Sequence, residues 1–219
     1  MILLIDTSRQ VLHVGIATNE GTLIAERVSV ASKNERGIHD ARLGLAAQEI
    51  LMEAGAAPAD IRIVSLVIGP GSFTGLRIGL AFAKGFCFGS ETGIVAMSRH
   101  DLLGLAAEEK GLRPDFFVTQ GYQSDLLYVK PSAPDAEIEL MSVVEFRALA
   151  AGLRVVGPES EKAKLEQIVV FDACESGLSH LAAATISGAQ VFYGDQISEL
   201  EPLYVAQFVG SSRNPLTRN

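Results

Sequence analysis

The spacing of apolar positions changes along the chain, and each spacing predicts an element. Ile2 to Ile5 is a continuous apolar run, Val11 to Ala17 alternates, and Thr22 to Val30 follows a turn at Asn19-Glu20-Gly21. Runs and period-two alternation both suit strands, and the turns at 7–10 and 19–21 predict an antiparallel meander. From Gly37 to Ala54 the period lengthens, with Leu43, Ala46, Ala47, Ile50 and Ala54 on one helical face and Gly55 as the stop. Val64 to Ile68 reads as a buried strand that enters a glycine-rich turn and a helix from Ser72 to Phe88. Ile94 to Met97 is a further strand, and Ser98-Arg99-His100-Asp101 is a capping box for the next helix.

The second half begins like the first. Asp115 to Val118 is apolar, 119–124 reads as a turn, and Leu126 to Val129 and Glu137 to Leu140 read as strands. A helix over 143–151, strands at 153–156 and 168–170, and a helix over 179–189 complete it. A strand–strand–strand–helix unit thus starts near residue 1 and again near residue 115. The pattern predicts an α/β protein of the actin-like or sugar-kinase-like (ASKHA, ribonuclease H-like) fold, with two related mixed-sheet subdomains. Charge, Gly and Pro cluster over Glu108 to Pro114, which divides the chain into residues 1–110 and a smaller, divergent unit at 111–208. Residues 209–219, with Gly210-Ser211-Ser212-Arg213-Asn214-Pro215, read as a flexible tail.

Composition narrows the function classes. Hydrophobic residues make up 48% and charged residues 20%, which favours a packed globular protein. The formal charge is −8, with 10 basic against 12 acidic residues up to Lys110 and 8 against 14 beyond it. Neither half offers the basic footprint of a nucleic-acid binder, so any nucleic-acid contact is expected to be indirect. Cys87 and Cys174 form no CxxC pair and read as reduced core thiols. Asp6 arrives too early for a signal peptide, and no apolar run reaches the roughly 18 residues of a membrane span. A soluble, cytoplasmic protein with no membrane partner is expected.

Two turns hold the candidate chemistry. Asp6-Thr7-Ser8 sits after the first strand, where an actin-like fold faces nucleotide phosphates, although these residues also simply suit a hairpin. The other is Gly69-Pro70-Gly71-Ser72-Phe73-Thr74-Gly75-Leu76-Arg77-Ile78-Gly79. Ser72 can cap the helix and leave free N–H groups as an anion site, while Gly75 and Gly79 permit close backbone approach. The turn lacks the Gly-Lys-Ser/Thr of a P-loop and the flanking glycines of a nucleophile elbow, and its glycine spacing is too long for a dinucleotide fingerprint. Asp6, Thr7, Ser8, Gly69, Gly71 and Ser72 are the candidate nucleotide-binding residues. Glycines placed for tight helix–strand packing are the simpler alternative.

This long glycine-rich stretch resembles the signature of the TsaB (YeaZ) family, grouped with glycoproteases and related to TsaD of the M22 family. The resemblance extends to Ile5-Asp6-Thr7-Ser8, to His39, and to Glu201-Pro202-Leu203-Tyr204. It implies an actin-like subunit without strong catalysis of its own, pairing with a TsaD-like enzyme as a heterodimer. With a TsaE-like ATPase, that pair forms N6-threonylcarbamoyladenosine at position 37 of tRNA. ATP or ADP is implied in the partner complex, and a homodimer when the chain is alone. The chain departs from the family at Gln120-Gly121-Tyr122, where Asp-Ala-Arg is usual, and at Val205-Ala206-Gln207, where Arg follows the tyrosine. Both departures are expected to remove charge from the interdomain cleft.

Catalytic machinery is sparse. His13, His39, His100 and His180 are the only histidines, and no two are three to five residues apart, so no helical metal pair is expected. TsaD-like enzymes carry an HxxxH pair in the corresponding helix, whereas here Leu43 stands four after His39. His13 reads as a partly buried strand residue and His100 as an exposed helix-start residue. In the second helix Phe73, Leu76, Leu80, Ala83 and Cys87 form one apolar face, Ile78, Phe82 and Phe86 another, and Arg77 and Lys84 the polar line. A helix apolar nearly all round needs cover on its outer side. His39, Leu43, Phe73, Arg77, Leu80, Phe82 and Lys84 are the candidate partner interface. The competing function classes are a nucleotide-dependent small-molecule kinase of the same fold, using Asp6 and the glycine-rich turn, and a peptidase-like protein.

Overall fold

A computed structural model describes residues 1–9, 11–30, 38–113, 115–123, 125–133, 136–165 and 170–205, with the side chains at 30, 38–41, 123 and 164 outside the description. Gly37, Pro114, Ser124, Ile168, Ala206, Gln207 and the tail at 209–219, all used in the sequence reading, lie outside the described residues. The first half runs β1 (Ile2–Asp6), β2 (Val11–Ala17), β3 (Leu23–Val30), α1 (Ile38–Glu53), β4 (Ile63–Gly69), α2 (Phe73–Cys87), β5 (Gly93–Ser98) and α3 (Arg99–Glu109). The second half repeats the order with β6 (Phe116–Gln123), β7 (Leu126–Pro131), β8 (Glu139–Ser142), α4 (Val143–Leu149), β9 (Arg154–Gly157), α5 (Lys162–Leu165), β10 (Val170–Ala173) and α6 (Leu178–Ile186). A two-residue β11 (Val191–Phe192) and α7 (Asp195–Glu199) follow. Both are too short for hydrophobic periodicity to reveal.

Strand order shows the repeat directly. The first sheet is β11-β5-β4-β1-β2-β3 and the second is β10-β9-β6-β7-β8. In each, the opening strand pairs antiparallel with the next and parallel with the strand that follows the first helix. The apolar run of β1 reflects burial on both faces. Leu3 and Ile5 join α1 and α2 residues such as Ile50 and Leu80, while Ile2 and Leu4 meet α6 through Leu178 and Leu181. All four are at most 2% exposed. Each such side chain contributes about 1.5–3 kcal/mol of apolar burial, as an upper estimate.

The last helix of each half crosses over. Leu103, Ala106 and Ala107 of α3 pack on Phe116, Val118 and Val156 of the second sheet. Leu178, Leu181 and Ala182 of α6 pack on Ile2, Leu4 and Val67 of the first sheet. This crossing overturns the expected exposure of His100. Its place in the first turn of α3 puts it against β7, where it is 0% exposed and Nε2 lies 3.1 Å from the Tyr128 carbonyl oxygen. Burial pushes its pKa down to about 4. The expected turn at 119–124 is also corrected. β6 continues to Gln123 because Thr119, Gln120 and Gly121 pair with Val129, Tyr128 and Leu127. Their polarity belongs to a buried hydroxyl and a cleft wall rather than to a loop.

Candidate functional site

The glycine-rich turn is built for contact with the chain's own first turn. The Ser72 N–H donates to the Ser8 carbonyl at 2.7 Å. Ser72 Oγ caps α2 by accepting from the Gly75 N–H at 3.2 Å. A Cβ on Gly71 would collide with the Ser8 carbonyl oxygen, one on Gly75 with that of Thr7, and one on Gly79 with Thr7 Oγ1. The three glycines therefore form a track in which the Thr7–Ser8 backbone lies. Gly69 has φ of +132°, and Leu203 O lies 2.8 Å from where its Cβ would be, so both conformation and space call for glycine.

The candidate nucleotide-binding residues come together in space, but their polar groups are largely engaged by each other. Asp6, Thr7 and Ser8 are all buried. Asp6 Oδ1 accepts from the Ser8 N–H at 2.9 Å and from the Ser8 hydroxyl at 2.5 Å. Asp6 Oδ2 lies 3.4 Å from Arg9 and 3.6 Å from Arg99. Gly69 is buried, and Gly71 and Ser72 reach the mouth of a central cleft of about 750 Å³.

That cleft lies between the equivalent turns of the two halves. Ser8, Arg9, Ser72 and Arg99 form one wall, and Gln120, Tyr122, Glu161 and Glu175 form the other. Arg9 crosses it to Glu175 at 3.7 Å, and Gln120 Nε2 reaches the Pro70 carbonyl at 3.5 Å. Burial lowers the pKa of Arg99 below the usual guanidinium value. The Tyr122 and Tyr128 rings lie 5.1 Å apart, and burial pushes the Tyr128 phenol up to about 12. Arg9, Arg99, Glu161 and Glu175 were not singled out from sequence. One signal could have found Glu161: Gly157-Pro158 ends β9 as Gly69-Pro70 ends β4.

A second concavity lies between α1 and α2, a groove of about 470 Å³ lined by Leu43, Gly44, Arg77, Ile78, Ala81 and Phe82. Of the candidate interface residues, Leu43 and Leu80 face the core at 1% and 4% exposure. Phe82 is half-buried and leans on Phe86 at 6.1 Å. His39 lies on α1, with its side chain outside the described residues.

The polar line of α2 is covered by the chain itself. Arg77 lies 4.1 Å over the Phe73 ring and donates from Nε to the Tyr204 hydroxyl at 2.8 Å, with the two rings 5.0 Å apart. Lys84 Nζ donates to the Ser198 carbonyl at 2.9 Å. The apolar character of α2 thus has an internal cause as well as an open groove, because Ile197 and Leu200 pack against the same core. Tyr204 lies on α2 and is not part of the cleft wall.

His13 is half-buried and meets Glu26 at 2.8 Å. Both cysteines are buried, and burial pushes the Cys87 thiol up to about 11. Among the described residues no three His, Cys, Asp or Glu side chains are placed to share a metal ion, and no helix is long and apolar enough to cross a membrane.

A family model described as TsaD, tRNA N6-adenosine threonylcarbamoyltransferase, matches residues 29–131. The chain is 35% identical over 102 residues to the Bacillus subtilis tRNA threonylcarbamoyladenosine biosynthesis protein TsaB, covering 47% of this chain and 42% of that protein. It is 34% identical over 97 residues to the Escherichia coli TsaB protein, covering 44% and 39%. The chain therefore aligns to less than half the length of these curated relatives. YeaZ from Pseudomonas aeruginosa superposes with a TM-score of 0.66 at 22% identity, over 93% of this chain and 98% of that structure. A Pseudomonas aeruginosa protein described by its similarity to the peptidase YeaZ gives 0.68 at 20%, over 94% and 99%. These likenesses show the actin-like fold. By sequence over about half its length and by fold along nearly all of it, the chain is similar to the TsaB (YeaZ) proteins.

Proposed function

We propose that this chain is a non-catalytic partner subunit that binds a TsaD-like protein through the α1–α2 groove. In that role it supports formation of N6-threonylcarbamoyladenosine at position 37 of tRNA. The observation that carries the reading is the groove itself, an open apolar concavity on a TsaB-like frame beside a helix braced from below by glycine packing. Its walls are preformed, so docking costs little ordering. The same groove serves a homodimer when the chain is alone. A TsaE-like ATPase and ATP or ADP join at the level of the complex. The charge of −8 favours tRNA contact through the partner rather than through this chain, which acts in the cytoplasm.

Two observations favour a non-catalytic role, one against a TsaD-like metal enzyme and one against a kinase. Leu43 stands where a TsaD-like metal pair would place its second histidine, and it points into the core. Asp6, the residue a kinase reading needs, spends its carboxylate on Ser8, Arg9 and Arg99. Reconstitution tests the role. The TsaD-like and TsaE-like proteins of the same organism are incubated with ATP, an activated threonylcarbamoyl donor and unmodified tRNA, with and without this chain. Mass spectrometry of the digested tRNA should show at least about tenfold more modified nucleoside with the chain present. Equal yields would overturn the proposal.

A further inference from the structure

The central cleft has unmet polar groups of opposite kind on its two walls. Arg99, whose side chain is 4% exposed, has a terminal nitrogen without a hydrogen-bond acceptor; its nearest carboxylate oxygen, on Asp6, is 3.6 Å away. On the facing wall the buried Gln120 Oε1 has no donor. Glu161 stands beside it, with its carboxylate against Gly121 and no ion pair among the described residues. Buried polar groups are normally satisfied, and an exception calls for a cause. A donor wall facing an acceptor wall suits a ligand that carries both charges.

We propose that the cleft binds a small zwitterion of the α-amino acid class. The carboxylate sits at Arg99, and the ammonium group sits between Gln120 Oε1 and Glu161. The Tyr122 and Tyr128 rings flank the room left for a side chain. Charge decides against the polyphosphate that the fold might suggest. In the lining Arg9 and Arg99 are balanced by Glu161 and Glu175, and buried Asp6 beside both arginines leaves one negative charge in excess around the cleft. A ligand with several negative charges would be repelled, whereas a zwitterion meets both walls at no net charge. The volume of about 750 Å³ lies within the range of small-molecule sites. This inference is independent of the partner role.

Isothermal titration of the full chain with each of the twenty L-α-amino acids, and separately with ATP, tests the proposal. At least one amino acid should bind, and its N-acetyl and carboxamide derivatives should each bind at least about tenfold more weakly, the usual loss for one charged hydrogen bond. Glu161→Gln, at a partly exposed position that leaves the core intact, should weaken the free amino acid about tenfold and leave the N-acetyl derivative unchanged. Arg99→Gln should do the same for the carboxylate, with circular dichroism as the check on folding. No heat from any amino acid overturns the proposal. So does ATP binding in their place, or amino-acid binding that ignores both N-acetylation and Glu161→Gln.

Discussion

The two halves share a strand order but finish the same turn in different ways. In the first, Gly69-Pro70-Gly71-Ser72 leads into the fifteen-residue α2, and three glycines let the Thr7–Ser8 turn lie against it. In the second, Gly157-Pro158 leads only into a short 3₁₀ turn at Glu159–Glu161 and the four-residue α5. The first half has closed its turn into a packed platform, and the second has left polar side chains facing the cleft. One topology therefore supports a rigid docking surface on one side and open chemistry on the other. The matched family model, over residues 29–131, takes in the glycine-rich turn and α2 but neither the Thr7–Ser8 turn nor the open turn of the second half.

The comparison breaks most sharply at the glycine track. Gly75→Val drives a side chain into the Thr7 carbonyl and should cost ~3 kcal/mol, lowering Tm by roughly 10 °C in thermal denaturation. A neutral result would mean that α2 is not braced by the first turn. His100 tests the crossing of α3 onto the second sheet. Burial holds its folded pKa at about 4, below the 6.5 of an ordinary imidazole, so the unfolded chain takes up the proton first as pH falls. Stability from this residue is complete above about pH 6.5 and declines by ~3 kcal/mol toward pH 4. His100→Gln should remove that slope in urea denaturation followed across pH. Parallel profiles for the two proteins would place the imidazole in solvent.

Two smaller effects sharpen the picture on α2. Tyr204→Phe removes the hydroxyl that accepts from Arg77 and should cost ~1 kcal/mol, read as a lower urea midpoint at unchanged slope. Gly85→Ala lies on the same helix with nothing within 4 Å of the new Cβ, and should stabilise by ~1 kcal/mol. Opposite signs at Gly75 and Gly85 would separate glycine for packing from glycine without a role.

Much of the fold was legible because periodicity reports which faces are buried. The β1 run, the α1 stripe and the Ser72 cap all appear where spacing put them. Failures came where tertiary contact decides. Nothing local marks the first turn of α3 as lying under β7, so His100 read as exposed. Thr119 and Gln120 are polar because of what they face, and polarity alone read as a turn. The candidate interface was legible as an apolar helix, but not that Leu43 and Leu80 turn inward or that Tyr204 returns across more than a hundred residues to hold Arg77. Arg99 was hidden for a related reason, since its surroundings are assembled from both halves.

Light scattering on size-exclusion of this chain mixed with the TsaD-like protein of the same organism tests the central claim most directly. The test compares wild type with Ala81→Arg on the exposed groove wall and Tyr122→Ala in the cleft. The account predicts a one-to-one species for wild type and Tyr122→Ala, and separate proteins for Ala81→Arg. Pairing that survives Ala81→Arg, or that fails with Tyr122→Ala, would contradict it.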